Sequence, residues 1–188
     1  MARMCIMCEG ANRDEVLFDL HAAVTRHGWG LQAVEGHDPP HLDWVYSVGL
    51  AGGFGHPELV VMGGQVRHDA RVLNELGEMV RSGRRFEVGD TVPWSGGLVG
   101  IGDVHPVHIA NGLVAVWREY YEALGPPVPA LRVLQVVLPD GEACHDHQVS
   151  VPRLADPTAD LVGRLMAGPN RAERRARGRA LRGRGRRG

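Results

Sequence analysis

The residues best equipped for chemistry fall in three places along the chain. The first is His56-Pro57-Glu58, which directly follows a run containing Gly52, Gly53 and Gly55. On an extended backbone, residues two apart project from the same face. An imidazole and a carboxylate at this spacing would suit an acid–base pair, or two ligands of a catalytic metal. Ser47 or Tyr46 on the preceding strand could join them. The structural alternative is that Pro57 stiffens the entry to a strand, Glu58 holds backbone amides and His56 caps a turn.

The second place is divided between the two ends of the chain. Cys5-Ile6-Met7-Cys8 has the two-residue spacing of half a zinc knuckle, and the third cysteine, Cys144, stands in Cys144-His145-Asp146-His147. Cys5, Cys8, Cys144 and His147, with His145 as the alternative fourth ligand, would form a tetrahedral Cys₃His set of the soft donors that suit zinc. Their separation is no obstacle, because loop-closure entropy grows only logarithmically with length. Inert, reduced cysteines are the competing expectation. A redox Cys-x-x-Cys is disfavoured, because that motif opens a helix after a strand and only four residues precede Cys5. Cys144 as a nucleophile with a neighbouring histidine is weaker still, since adjacent residues seldom hold the geometry of general-base activation. The other histidines, at 37, 41, 105 and 108, show no H-E-x-x-H or comparable ligand spacing.

The third place is the C-terminal stretch. Arg171, Arg174, Arg175, Arg177, Arg179 and Arg182, followed by Arg184, Arg186 and Arg187, face a single acid, Glu173. The tail therefore carries +8 and the rest of the chain −9, within a total of −1. Guanidiniums on such a segment bind phosphate backbones without sequence preference and with a steep salt dependence. The alternative is a solvated terminus attracted to its own acidic body.

Strands and helices must place these groups. Trp44 to Leu50 alternates large and small side chains, as a strand with one heavily packed face does. Leu59-Val60-Val61-Met62 is apolar on both faces, as a central strand is. The glycines between them predict an irregular connection. Asn12 with Glu15 three residues on is a capping-box pattern, opening a helix that Gly28 ends. Further helices are predicted over 66–81 and 113–124, the latter capped by Asn111, and a last one from Asp156-Pro157. Strands are predicted over 29–34, 86–88, 98–101, 104–109 and 131–138. Strands that cluster without one-for-one helices indicate α+β with a mostly antiparallel sheet and three to four packing helices. The chain reads as one domain, residues 5–168, with an arginine/glycine-rich tail at 169–188.

The bulk numbers agree with this. A chain of 188 residues, 44% hydrophobic and 23% charged, suits one globular domain with a real core. No run approaches the roughly 18 apolar residues of a membrane span, and no apolar stretch near the start resembles a secretory signal. A cytoplasmic location is the expectation.

Taken together, several motifs are similar to the bacterial domain-of-unknown-function family 4262. They are the N-terminal Cys-x-x-Cys before a capped helix, His27-Gly28-Trp29, Tyr46-Ser47-Val48-Gly49-Leu50, His56-Pro57-Glu58-Leu59, Leu73-Asn74-Glu75, the stretch 83–89 and Gln135 to Asp140. The resemblance covers roughly residues 5–140 and implies no established activity. Three functional readings follow from the residues: a small binding or interaction module locked by zinc, a hydrolytic or metal-assisted enzyme using His56 and Glu58, and an accessory protein held on nucleic acid by its tail.

Overall fold

The computed structural model describes residues 12–34, 42–139 and 151–159. Helix α1 (Arg13–His27) begins where the capping pattern places it, with the Glu15 carboxylate accepting from the Asn12 amide at 3.2 Å. It ends at Gly28, whose φ of 92° is the left-handed conformation that a Cβ disfavours. Strands β1 (Gly30–Val34) and β2 (Trp44–Val48) follow, then a short helix α2 (Leu50–Phe54) and strand β3 (Glu58–Met62). Helix α3 (Val66–Arg81), strands β4 (Thr91–Trp94) and β5 (Gly97–Asp103), helices α4 (Pro106–Ala110) and α5 (Ala115–Leu124), and strand β6 (Val133–Val137) complete the order.

The six strands form one sheet in the order β1-β2-β3-β6-β5-β4. Only β3 and β6 are parallel, and every other pairing is antiparallel. The architecture is α+β with a mostly antiparallel sheet. Pro93 lies in β4, an edge strand, where the amide that proline lacks is not needed by a second neighbour.

Both faces of the sheet carry a core, and the strand alternation assigns each side chain to one of them. Leu59, Val61, Leu134 and Val136 pack with Leu73, Leu76 and Val80 of α3 on one face. Val60, Met62 and Val133 pack with Leu20 of α1 and Trp117, Tyr120 and Tyr121 of α5 on the other. This is why β3 and much of β6 are apolar at successive positions.

Several expected elements differ. The glycine-rich link at 50–54 closes as one helical turn, with Gly53 N–H bonding to Gly49 C=O at 2.8 Å and Gly55 N–H to Ala51 C=O at 3.1 Å. Residues 86–88 are not a strand. Asp90 Oδ2 accepts from Glu87 N–H at 2.9 Å and bends the chain there, while the Phe86 ring enters the core. The alternation at 104–109 belongs instead to α4, because Pro106 starts a helix and the His105 ring accepts from Val107 N–H at 3.2 Å. Asn111 ends α4 rather than opening α5, whose N-cap is Val114. At Asp156 the chain forms turns, with Thr158 N–H bonding to Asp156 Oδ1 at 2.8 Å. The rest of the helix expected there lies outside the described residues.

Candidate functional site

Glu58 is the first residue of β3 and has no exposed surface. Four donors converge on its carboxylate. Ser47 Oγ donates to Oε2 at 2.6 Å, while Gly49 N–H (2.9 Å), Ala51 N–H (3.2 Å) and Trp117 Nε1–H (3.1 Å) donate to Oε1. Ser47 Oγ in turn accepts from Leu59 N–H at 2.9 Å, so its own proton must point to Glu58. One side chain thereby ties β2, the first turn of α2, the start of β3 and helix α5 together. Burial raises the carboxyl above its ordinary range, and the four donors hold that rise in check.

His56 lies just before β3 and is equally buried. Its Nδ1 donates to Pro57 C=O at 2.7 Å, and its Nε2 accepts from Phe86 N–H at 3.1 Å. An acceptor at one nitrogen and a donor at the other require the neutral ring. Desolvation lowers its pKa, the Pro57 carbonyl opposes this, and the charge of Arg85 adds to the lowering. Its ring meets Phe86 edge-on at 5.3 Å, in the core shared with α3, whereas Glu58 reaches Trp117 in the core shared with α5. The same-face expectation for this pair is therefore corrected: His56 stands before the regular strand, so strand alternation does not apply to it. Of the residues expected around the pair, Ser47 bonds to Glu58, and the Tyr46 hydroxyl accepts instead from Val116 N–H at 3.2 Å.

The other expected site residues fall elsewhere. Cys5, Cys8, Cys144, His145 and His147, and the tail arginines Arg171, Arg174, Arg175, Arg177, Arg179 and Arg182, lie outside the described residues. His37 and His41 do too. Among the described residues no group of three or more His, Cys, Asp or Glu is arranged to hold a metal ion. His105 caps α4, and His108 Nε2 donates to Asp156 C=O at 2.8 Å.

A second polar cluster was not anticipated. Asp69, in the first turn of α3, has no exposed surface. Its Oδ1 lies 3.3 Å from His68 Nδ1, and its Oδ2 has no hydrogen-bond partner. Burial pushes its carboxyl up to about 6, against the hydrogen bond and charge of His68 and a bond from the Gly64 backbone, while the charge of Asp43 adds to the rise. The His68 ring also packs edge-on against Trp94 at 5.2 Å, and the buried Trp94 indole N–H is likewise unpartnered. Arg71 lies over the Trp94 ring at 5.1 Å, and Glu75 binds the adjoining turn through Ser95 N–H at 2.8 Å. Glycine at 64 is required here, because a Cβ would run into the Asp69 carboxylate. One sequence signal existed: Asp69 falls on the same stripe as Leu73, Leu76 and Val80, where a charged residue is out of place. Nothing in the sequence joined it to Trp94, which comes from β4.

Fold and polar interior together define a six-stranded α+β domain with helices on both faces and buried carboxylates on each side of its central strand. The chain belongs to the family described as Domain of unknown function (DUF4262), whose model matches residues 23–145. The match takes in His56, Glu58, Asp69, Trp94 and Cys144, and begins after Cys5 and Cys8. No curated protein and no solved structure matches the chain significantly.

Proposed function

We propose that this domain is a binding module whose ligand site is the His68, Asp69 and Trp94 cluster at the start of α3. One observation carries the reading. Among the described residues only two buried side-chain polar atoms lack a partner, the acceptor Asp69 Oδ2 and the donor Trp94 Nε1, and both belong to neighbours of His68. Leaving such atoms unpaired in an interior costs about 1–3 kcal/mol each, and a buried polar atom without a protein partner marks a position with a role beyond packing. The matching ligand donates to a carboxylate and accepts from an indole N–H, as a carboxamide or an amino acid does. His68 is the partly exposed member, which places the cluster next to solvent. The His56–Glu58 pair favours an architectural role instead, since both ring nitrogens and the carboxylate are already engaged.

The test is a thermal-shift panel of small amides, amines, guanidines and amino acids on the wild type, Asp69→Asn and Trp94→Phe. The reading expects a compound class that raises the wild-type midpoint and loses its effect in both variants. Uniform shifts, or none, would leave an internal water as the occupant and end the proposal.

The same reading includes a structural zinc on Cys5, Cys8, Cys144 and His147 or His145, the donor set that soft thiolates and imidazole provide. Elemental analysis of reduced protein checks it. About one zinc per chain, lost on substituting Cys5 or Cys144 by serine, is expected.

A further inference from the structure

Residues 151–159 follow the part of the chain that the family match covers, yet they are fastened to residues inside it. Gln135, fully buried in β6, reads the backbone of this strap with both ends of its amide. Its Nε2 donates to Pro152 C=O at 2.9 Å, and its Oε1 accepts from Leu154 N–H at 2.8 Å. His105 N–H donates to Leu154 C=O at 2.7 Å. His108 adds its bond to Asp156 C=O at 2.8 Å. Between these bonds the Leu154 side chain, with no exposed surface, enters the core of Val104, Leu113, Val114 and Val133. Asp156 N–H bonds to Arg153 C=O at 3.0 Å and closes the turn that aims Leu154 inward.

Main-chain bonds for affinity and one side-chain pocket for selectivity are the components of a peptide-recognition site. We infer that the slot formed by His105, His108, Gln135 and the Leu154 pocket is a peptide-docking site that the chain's own residues 151–156 fill in cis. The occupant it fits in trans is a peptide segment of the same chemistry: an aliphatic side chain two residues after a proline, with free main-chain carbonyls on either side. Gln135 stands inside the sheet, where an apolar residue would serve packing alone, and both ends of its amide are used on the backbone of the strap. The inference goes beyond the ligand site proposed at His68, and the two share no residue.

A tethered occupant competes at an effective concentration on the order of millimolar, so the slot must be tested with the strap weakened. The probe is a labelled peptide, Val-Pro-Arg-Leu-Ala-Asp, read by fluorescence anisotropy against full-length protein. The Leu154→Ala chain is expected to bind it at least about tenfold more tightly than the wild-type chain, the difference that losing the competitor produces. The same peptide with alanine for leucine should bind neither. Equal binding to both chains, or no saturable binding to Leu154→Ala, overturns the inference. Should that variant not fold, native-state hydrogen exchange on the wild-type chain decides. The Leu154 amide is expected to exchange at least about tenfold faster than the Val136 amide, as a unit opening on its own does. Equal rates would make the strap part of the global fold and sink the idea.

Discussion

Replacing Asp69 with asparagine should stabilise the protein at alkaline pH and leave it unchanged in acid. The carboxyl's ordinary value of 3.8 is raised to about 6 in the folded chain, chiefly by burial. The folded state therefore holds a proton that the unfolded chain has already released, and stability declines as pH rises from about 4 to about 6. Above that range the penalty is constant. At roughly 1.4 kcal/mol per unit, a rise of about two units corresponds to ~3 kcal/mol. Asp69 has no exposed surface, so solvent does not screen this penalty. Asparagine keeps the shape and the acceptor facing His68 but cannot ionise. Urea unfolding of both proteins at pH 4 and pH 8 measures the difference, which should be near zero at the lower pH and approach ~3 kcal/mol at the higher. In midpoint temperature that is ~6–12 °C for a chain of this size. A gap that does not change with pH, or an asparagine variant less stable at pH 8, would refute the argument. A favourable result would also show what retaining Asp69 costs, as expected of a residue kept for binding.

Three other predictions are independent of that one. Glu58→Ala strips the acceptor from Ser47, Gly49, Ala51 and Trp117 at once. It should destabilise by more than ~3 kcal/mol in chemical denaturation, against ~1 kcal/mol for Trp117 Nε1 alone as probed by an indole lacking its N–H. Gly77→Ala would gain about 1 kcal/mol from helix propensity, but a Cβ there meets the buried Trp29 indole at 2.5, 2.8 and 2.9 Å. A lowered midpoint on thermal unfolding is therefore expected, and a raised one would show that Trp29 yields. Finally, the full chain should bind single-stranded nucleic acid at low salt more tightly than a version ending at Pro169, with the difference vanishing as salt rises. Equal binding would acquit the arginines of any such role.

Local chemistry was legible where a cap, a stop and a hydrophobic stripe agree over a long element. Asn12 and Glu15 begin α1, Gly28 ends it, and the stripe of Ala70, Leu73, Leu76 and Val80 gives α3 its bounds. Two-sided apolar character marked β3 as central. The α+β class, with its mostly antiparallel sheet, and the family resemblance were readable for the same reason. Short segments were not. Residues 104–109 alternate like a strand, but Pro106 and the His105 cap favour a helical turn that hydrophobic period alone does not reveal.

What only tertiary structure decided is which polar side chains meet. His56 and Glu58 are neighbours in sequence, yet they serve different cores, because the regular strand starts between them. Asp69 and Trp94 come together only because α3 packs beneath β4. Gln135 meets Leu154 only because the chain returns across β6. Propensity and capping act over a few residues and are written in local sequence. Hydrogen-bond partnership in a desolvated interior depends on where distant segments are brought, and that is a property of the folded chain.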